Sequence, residues 1–286
     1  MNNPTGQNSK PADAPLDVTI TIPVFNQLHY TKGCVETLLQ AGIAGSQIVI
    51  VNNASTDGTT EYLAGFPDIR VIHNAKNQGC AFAWNQGAKA STSEWTVVSN
   101  NDILFAPETL AGLIAFAEEE QIDIASGSMC EGDVDYDFPE YARDFMHRMA
   151  AVTRRNVARG SCFMVHRRVF EKIGWFNEDP KLGGYEDDEF FRRARSAGLK
   201  LAITGRSFYH HYGSVTQKSM KAEMKKPNLS LGDREYYRRQ TGQTWGKRKA
   251  VQLKHAVRNF WWKNTEKLRY DRTLHEKRIG GQWHYC

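Results

Sequence analysis

Residues 97–105 read VVSNNDILF, an apolar run that stops at Ser99, continues through two asparagines to Asp102, and then resumes. This pattern is typical of a buried parallel strand that ends in polar side chains at the carboxyl edge of a sheet. Ligands of open α/β sheets bind at that edge. The carboxylate could hold a divalent cation, and the amides could orient ribose or phosphate oxygens. A plain turn after the strand is the alternative interpretation.

Strands and helices alternate upstream of this segment. β-branched runs predict strands at Asp17–Val24, Gln47–Val51 and Ile69–His73. Helical spacing or a helix-start signal follows each run, and the alternation continues to about residue 120. The sequence therefore predicts an α/β fold with a Rossmann-like, mostly parallel sheet flanked by helices.

Polar and glycine-containing turns follow these predicted strands. They offer amides and hydroxyls to a nucleotide, and the glycine of the third turn would let a helix N-terminus approach a phosphate closely. Helix capping by Asp57 and tight helix-to-sheet packing at the third turn are the structural alternatives. The candidate binding residues are Pro23, Phe25, Asn26, Asn53, Asp57, Asn77, Gly79, Asn100 and Asn101.

Four consecutive acids, Glu186 to Glu189, follow two glycines. Four like charges repel one another, so at least one pKa is expected to rise, and such a carboxylate can act as a general base. A helix N-terminus enriched in acids, with salt bridges to Arg192 and Arg193, is the structural alternative.

Four motifs in order resemble the nucleotide-binding half of family 2 glycosyltransferases, which have the GT-A fold: PVFNQ, IVIVNNASTDGTTEYL, NQGCAFAWNQG and VVSNND. The family usually has acidic residues where this chain has Asn52 and Asn53, and often Asp-x-Asp where it has Asn100–Asp102. The asparagine version resembles a rhamnosyltransferase-like bacterial branch. The resemblance implies a nucleotide-diphospho-sugar donor and a divalent metal, Mn²⁺ or Mg²⁺, with Asp102 as its main carboxylate.

The segment from Gly160 to Gly198 resembles the second half of the family, where a Glu-Asp pair at the head of a helix lies beside the donor sugar. This implies Asp187 as the catalytic base and Glu186 as its neighbour, with Asp188 as the alternative base. Many members place a metal or diphosphate ligand at a histidine in the position of Phe208–Ser214. His210 is the candidate for that role, and His211 is the alternative.

The implied reaction is an inverting, metal-assisted transfer of a sugar to a hydroxyl of a glycan, a lipid-linked or another acceptor, as in polysaccharide biosynthesis. A non-catalytic nucleotide-sugar or glycan binding protein is one alternative. A sugar nucleotidyltransferase is another, although such enzymes favour a basic, Gly-rich phosphate loop that the stretch after Ile22, PVFN, does not provide.

The charge distribution divides the chain. Residues 215–286 contain 18 Lys and Arg against 6 Asp and Glu, whereas the remainder contains 19 against 26. We expect a disordered leader (1–16), a GT-A catalytic domain (17–214) with nucleotide-binding (17–127) and acceptor/catalytic (128–214) halves, and a basic, mostly helical extension (215–286). The extension could pack on the body, lie on anionic lipid, bind nucleic acid or form a homodimer. No nucleic-acid motif supports the third alternative.

An acidic loop between Glu131 and Glu140 has carboxylates at alternate positions. It lacks the later Gly and Glu of an EF-hand, so acceptor recognition or simple solvation is favoured over calcium. No apolar run reaches the roughly 20 residues that span a bilayer, and no signal-peptide core is present, so we expect a cytoplasmic protein, with peripheral contact to the inner membrane face as the alternative. Five scattered cysteines without a CxxC pair argue against a zinc site or a disulfide framework.

Overall fold

The computed structural model describes residues 16–223, 232–242 and 244–286, so the predicted leader lies almost wholly outside the described residues. The strands are β1 (Val18–Val24), β2 (Ile48–Asn52), β3 (Arg70–His73), β4 (Trp95–Ser99), β5 (Ile103–Phe105), β6 (Ile124–Gly132), β7 (Thr153–Arg155), β8 (Cys162–His166), β9 (Leu201–His211), β10 (His275–Ile279) and β11 (Gln282–Tyr285). The helices are α1 (Leu28–Gln40), α2 (Thr59–Leu63), α3 (Cys80–Ala90), α4 (Thr109–Glu119), α5 (Phe138–Met149), α6 (Arg167–Ile173), α7 (Glu186–Ser196), α8 (Val215–Glu223), α9 (Arg234–Gln240) and α10 (Trp245–Tyr270).

The predicted parallel arrangement is present in the first half of the sheet. Strands β3, β2, β1 and β4 are neighbours in that order and all run parallel, with Val24 opposite Asn52. Every residue of β2 and β4 is buried, because helices cover both faces. The α/β fold is therefore confirmed, and the polar residues that follow these strands meet at one edge.

Beyond β4 the sheet is mixed rather than parallel. β8 runs antiparallel to both β4 and β6, and β9 runs parallel to β6 through a bulge between Gly127 and Ser128. Beyond this irregularity, β9 continues past Thr204, where the predicted strand ended, as far as His211. Residues that were expected to form a loop after the strand therefore belong to it, and successive side chains point to opposite faces of the sheet.

Close contact between α3 and β1 positions one wall of the sheet edge. A Cβ atom on Gly87 would lie 1.6 Å from the Oγ1 atom of Thr21, so only glycine permits this approach. Packing therefore explains part of the small-residue pattern that follows Gly79. The N-terminus of α3 is held at the carboxyl edge as a result.

The acidic loop holds the C-terminal hairpin of β10 and β11. Arg278 pairs with Asp135 at 2.6 Å, Lys277 pairs with Glu131 at 3.2 Å, and the Gly280 N–H donates to Asp133 at 2.7 Å. β10 then adds to the sheet beside β6. The extension thus contributes two strands as well as helices, and the acids of the loop have structural partners.

Candidate active site

A cleft of about 460 Å³ opens at the carboxyl edge of the parallel strands. Its walls come from the ends of β1, β2 and β4, the N-termini of α3 and α7, and the start of α8. Ten of the residues predicted from the sequence line it: Pro23, Phe25, Asn53, Asn77, Gly79, Asn100, Asn101, Asp102, Glu186 and Asp187. The carboxylates of Asp102 and Asp187, far apart in sequence, thus share one cavity.

Asp102 is fixed at the base of this cleft and is only 3% exposed. Its Oδ2 atom accepts a hydrogen bond from the N–H of Val215, the first residue of α8, at 3.3 Å. Its Oδ1 atom lies 3.3 Å from the Nε2 atom of His211. The neighbouring Asn101 donates to the Thr31 hydroxyl at 3.0 Å, which anchors the turn to α1.

Of the two adjacent histidines, His211 lines the cleft and His210 does not. The Nε2–H of His210 donates to the Gly132 carbonyl at 3.0 Å, and its Nδ1 atom accepts from the Tyr136 hydroxyl at 2.8 Å. Burial lowers the pKa of His210 to about 4, which keeps this imidazole neutral. The strand period of two explains the difference, because β9 turns successive side chains to opposite faces.

The donors around Asp102 fit a divalent cation that is shared with a diphosphate. Neither ring nitrogen of His211 makes a hydrogen bond within the protein, although the residue is only 6% exposed and its Nε2 atom faces the Asp102 carboxylate at 3.3 Å. Such a buried polar group needs an explanation. A carboxylate and an imidazole suit Mn²⁺, and Mg²⁺ is commonly bound by one or two carboxylates plus substrate phosphates. Within the described residues no group of three or more His, Cys, Asp or Glu side chains forms a complete metal cage.

Asp187 lies at the opposite wall, in the first turn of α7. Burial and then the negative charge of Asp188 raise the pKa of Asp187 to about 7. The carboxylate occupies space that exists only because residue 160 is glycine, since a Cβ on Gly160 would lie 1.7 Å from its Oδ2 atom. A carboxyl group with a pKa near neutrality can accept a proton at physiological pH.

The other acids of this run have different surroundings. Glu186 accepts a hydrogen bond from the Gly184 N–H at 2.5 Å, and burial raises its pKa. Asp188 is exposed and does not line the cleft. Glu189 pairs with Arg193 at 2.9 Å. Salt bridges therefore account for the end of the run, whereas Asp187 is the acid that combines cleft exposure with a pKa near 7.

Asn26 and Asp57, which were expected to bind the nucleoside, join two loops instead of lining the cleft. The Thr56 N–H donates to the Asn26 side chain and the Leu28 N–H to Asp57, both at 2.8 Å. Asp57 also accepts from the Thr59 N–H at 3.3 Å and from the Thr59 hydroxyl at 2.6 Å, just ahead of α2, whose N-cap residue is Gly58. Asp57 therefore has structural partners and does not line the cleft.

Sequence reasoning missed the contribution of α8 to the cleft. Ser214, Thr216 and Gln217 line it beside Asp102. Gly213 and Ser214 have positive φ angles of 92° and 56°, a sharp turn that aims the start of α8 at the carboxylate. The Gly-Ser pair was the available signal, because such a pair often precedes a helix.

The fold is of the GT-A type, and comparisons with solved structures agree on it. S. aureus TarS superposes with a TM-score of 0.54 at 17% identity, covering 75% of this chain and 67% of that one. The mannosyltransferase PcManGT from Pyrobaculum calidifontis, solved with GDP-Man and Mn²⁺, gives a TM-score of 0.52 at 20% identity, covering 76% and 64%.

Sequence comparison then gives the family. The model of Glycosyl transferase family 2 matches residues 19–174, more than half of the chain, and the chain belongs to that family. It is similar to glycosyltransferase GlyG of Streptococcus pneumoniae, with 24% identity over 67% of this chain and 69% of the relative. It is also similar to the uncharacterized glycosyltransferase YibD of Escherichia coli, with 28% identity over 41% of this chain but only 34% of the relative's length.

Proposed function

We propose that this protein transfers a sugar, with inversion at the anomeric carbon, from a nucleotide-diphospho-sugar to an acceptor hydroxyl. The observation that carries the proposal is the pair of carboxylates, Asp102 and Asp187, that face one cleft at the carboxyl edge of the sheet. Two proteins of similar structure support a nucleotide-diphospho-sugar as the donor, because TarS was solved with UDP-GlcNAc and PcManGT with GDP-Man.

The chain supplies a base and a binding wall for this reaction. The acceptor oxygen attacks the anomeric carbon from the face opposite the diphosphate, and the carboxylate of Asp187 takes the hydroxyl proton. The bond between the anomeric carbon and the diphosphate oxygen breaks as the new glycosidic bond forms. The nucleoside and phosphates are held by the polar strand ends, with Phe25, Asn53 and Asn100 on the wall.

Asp102 and His211 are the residues that would hold the divalent cation, Mn²⁺ or Mg²⁺. When bound there, the cation supplies positive charge that neutralises the leaving diphosphate. Asp102 is held in place by α8, and His211 has its Nε2 atom 3.3 Å from the Asp102 carboxylate and no hydrogen bond at either ring nitrogen. We therefore move the metal or diphosphate role from His210 to His211.

The acceptor, a hydroxyl of a glycan or of a lipid-linked sugar, and the cytoplasmic location stay predictions from the sequence. A non-catalytic nucleotide-sugar or glycan binding protein and a nucleotidyltransferase are the competing functions. They differ from the proposal in what they release. A transferase without acceptor slowly hydrolyses its donor to nucleoside diphosphate and free sugar, a binding protein releases nothing, and a nucleotidyltransferase forms pyrophosphate.

The test begins with a thermal-shift screen of UDP-, GDP- and dTDP-sugars with Mn²⁺, because a bound donor stabilises the fold by mass action. Nucleoside diphosphate release is then measured with the selected donor. Asp187→Asn is expected to lower turnover by roughly 10²–10⁴-fold, the usual contribution of a general base, while donor binding is kept. Asp68→Asn is the matched control, since Asp68 is exposed and does not line the cleft. Full turnover in Asp187→Asn would refute the assigned base.

A further inference from the structure

Helix α10 has one face on the protein body and one face in solvent. Its inner face is anchored by a two-pronged ion pair, in which Arg154 donates to Glu266 through Nε and Nη2 at 2.8 Å each. Both side chains are buried, and Arg154 also lies 5.1 Å from the ring centre of Trp262. Because a buried pair of this kind is costly to break, the rotation of the helix about its axis is fixed.

The outer face carries a stripe of large apolar side chains without a partner among the described residues. Phe260, Trp261 and Leu268 are 70%, 63% and 87% exposed. Leu253 and Val257 precede them on the same face at 67% and 60% exposure, with spacings that match a helical stripe. Single exposed apolar residues are ordinary, but a contiguous stripe marks an interaction surface.

Basic residues border this stripe on both sides. Lys249 and Lys263 lie along one edge and Lys254 along the other, and all three are exposed. The helix contains eight Lys or Arg and a single acid, Glu266, which forms the buried ion pair with Arg154. The outer face is therefore mainly apolar, with the exposed Asn264 between Phe260 and Leu268, and the charged residues of α10 at its borders are all cationic.

We infer that the outer face of α10 binds an anionic phospholipid surface, lying in the plane of the interface. Aromatic side chains at the centre suit the headgroup boundary, and flanking lysines suit anionic headgroups while their stems cover apolar surface. The helix lies on the surface and does not span it, since no helix in the described part of the chain is long and apolar enough to cross a membrane.

Charge complementarity favours lipid over the other occupants. A second copy that stacked on the stripe by twofold symmetry would bring the lysine rows of the two helices together, and like charges in contact are unfavourable. A nucleic acid would neutralise the lysines but leave Phe260, Trp261 and Leu268 in water. Of these three occupants, the bilayer surface is the one that satisfies both parts of the face.

The test is co-sedimentation of the full chain with vesicles of phosphatidylcholine alone and of phosphatidylcholine mixed with phosphatidylglycerol. We expect binding to the mixed vesicles that weakens with added salt, and little binding to phosphatidylcholine alone. Phe260→Ser combined with Trp261→Ser is expected to reduce the partition coefficient roughly tenfold or more. Lys254→Gln and Lys263→Gln should each reduce it about fivefold.

Ile279→Ser is the matched control, because Ile279 is 55% exposed on β10, outside the stripe. It should bind like the unmodified protein, as should Asp187→Asn, which separates lipid binding from catalysis. Equal binding to both vesicle types, or mixed-vesicle binding that Phe260→Ser with Trp261→Ser leaves unchanged, would overturn the inference. A dimer in sedimentation velocity that this double variant abolishes would assign the stripe to a second copy and would also overturn it.

Discussion

Replacing Gly160 by alanine tests whether the position of the Asp187 carboxylate decides the rate. The added Cβ would lie 1.7 Å from Oδ2 and 2.5 Å from Cγ, whereas ordinary contact begins at 3.4 Å. The carboxylate must therefore move by about 1 Å or more, and a displacement of about 1 Å can cost roughly 10²-fold in rate. We expect kcat to fall by about that factor.

The same variant should change the pH profile in a defined direction. Burial is the largest cause that raises the pKa of Asp187 to about 7. A carboxylate pushed out of this position becomes more hydrated, so its pKa should fall. The acid limb of the kcat profile should then lie below pH 7. The assay is nucleoside diphosphate release at saturating donor and acceptor between pH 5 and 9, with donor affinity measured separately by thermal shift.

The matched control is Gly246→Ala in α10, where an added Cβ would have no neighbour within 4 Å. It should keep turnover and the pH profile. The reasoning about Asp187 would be refuted if Gly160→Ala remained folded, bound donor normally and kept both its kcat and its acid limb. A loss of donor binding together with kcat would instead indicate a role for Gly160 in holding the donor.

Further outcomes follow from the described contacts. Only the ionised form of Asp187 can accept a proton and its pKa is about 7, so kcat should fall about tenfold per pH unit below that value. Because the pKa of Asp187 is raised in the folded protein, ionisation of this carboxyl group destabilises the fold as the pH rises toward 7. Asp187→Asn should therefore raise the melting temperature at pH 8 but not at pH 4. His211→Ala should raise the Mn²⁺ concentration needed for half-maximal activity with little change in melting temperature, whereas His210→Ala, which removes two buried hydrogen bonds, should cost about 2–4 kcal/mol of stability, as measured by denaturant unfolding. Glu266→Ala should cost about 3–5 kcal/mol by leaving Arg154 buried and unpaired, and a midpoint within experimental error of the unmodified protein would contradict the fixed orientation of α10.

The residues at the carboxyl edge of the sheet could be predicted from the sequence because they depend on the order of strand and helix segments along the chain. Apolar runs that end in polar residues, separated by helical segments, place those ends at one edge of a parallel sheet whatever the details of packing. Asn53 and Asp102 follow two such runs, and both line the cleft. The helix that begins at Glu186 was likewise readable from its glycines and acids.

Other assignments failed because they depend on a partner distant in sequence. Asn26 and Asp57 look like ligand-binding residues until the loop that each one contacts is known. The acidic loop looks solvated until the hairpin that binds it, more than 130 residues later, is placed: Arg278 meets Asp135. The histidine pair was ambiguous because the sequence did not show that β9 continues past a register shift to His211. The alternation of side chains along that strand decides which histidine faces the cleft.

The two cleft carboxylates are held by opposite physical means, and this suits them to different tasks. Asp102 is fixed by contacts, with one oxygen on the Val215 N–H and the other beside His211. Asp187 is positioned by packing, since its carboxylate occupies the space that a side chain at residue 160 would fill. A carboxylate held by polar neighbours suits a cation that must be kept in one place, whereas Asp187, whose pKa is raised to about 7 by burial and by the charge of Asp188, can take up and release a proton. Both residues are aspartates, so the surroundings of each carboxylate, and not the residue type, determine which of the two tasks it suits.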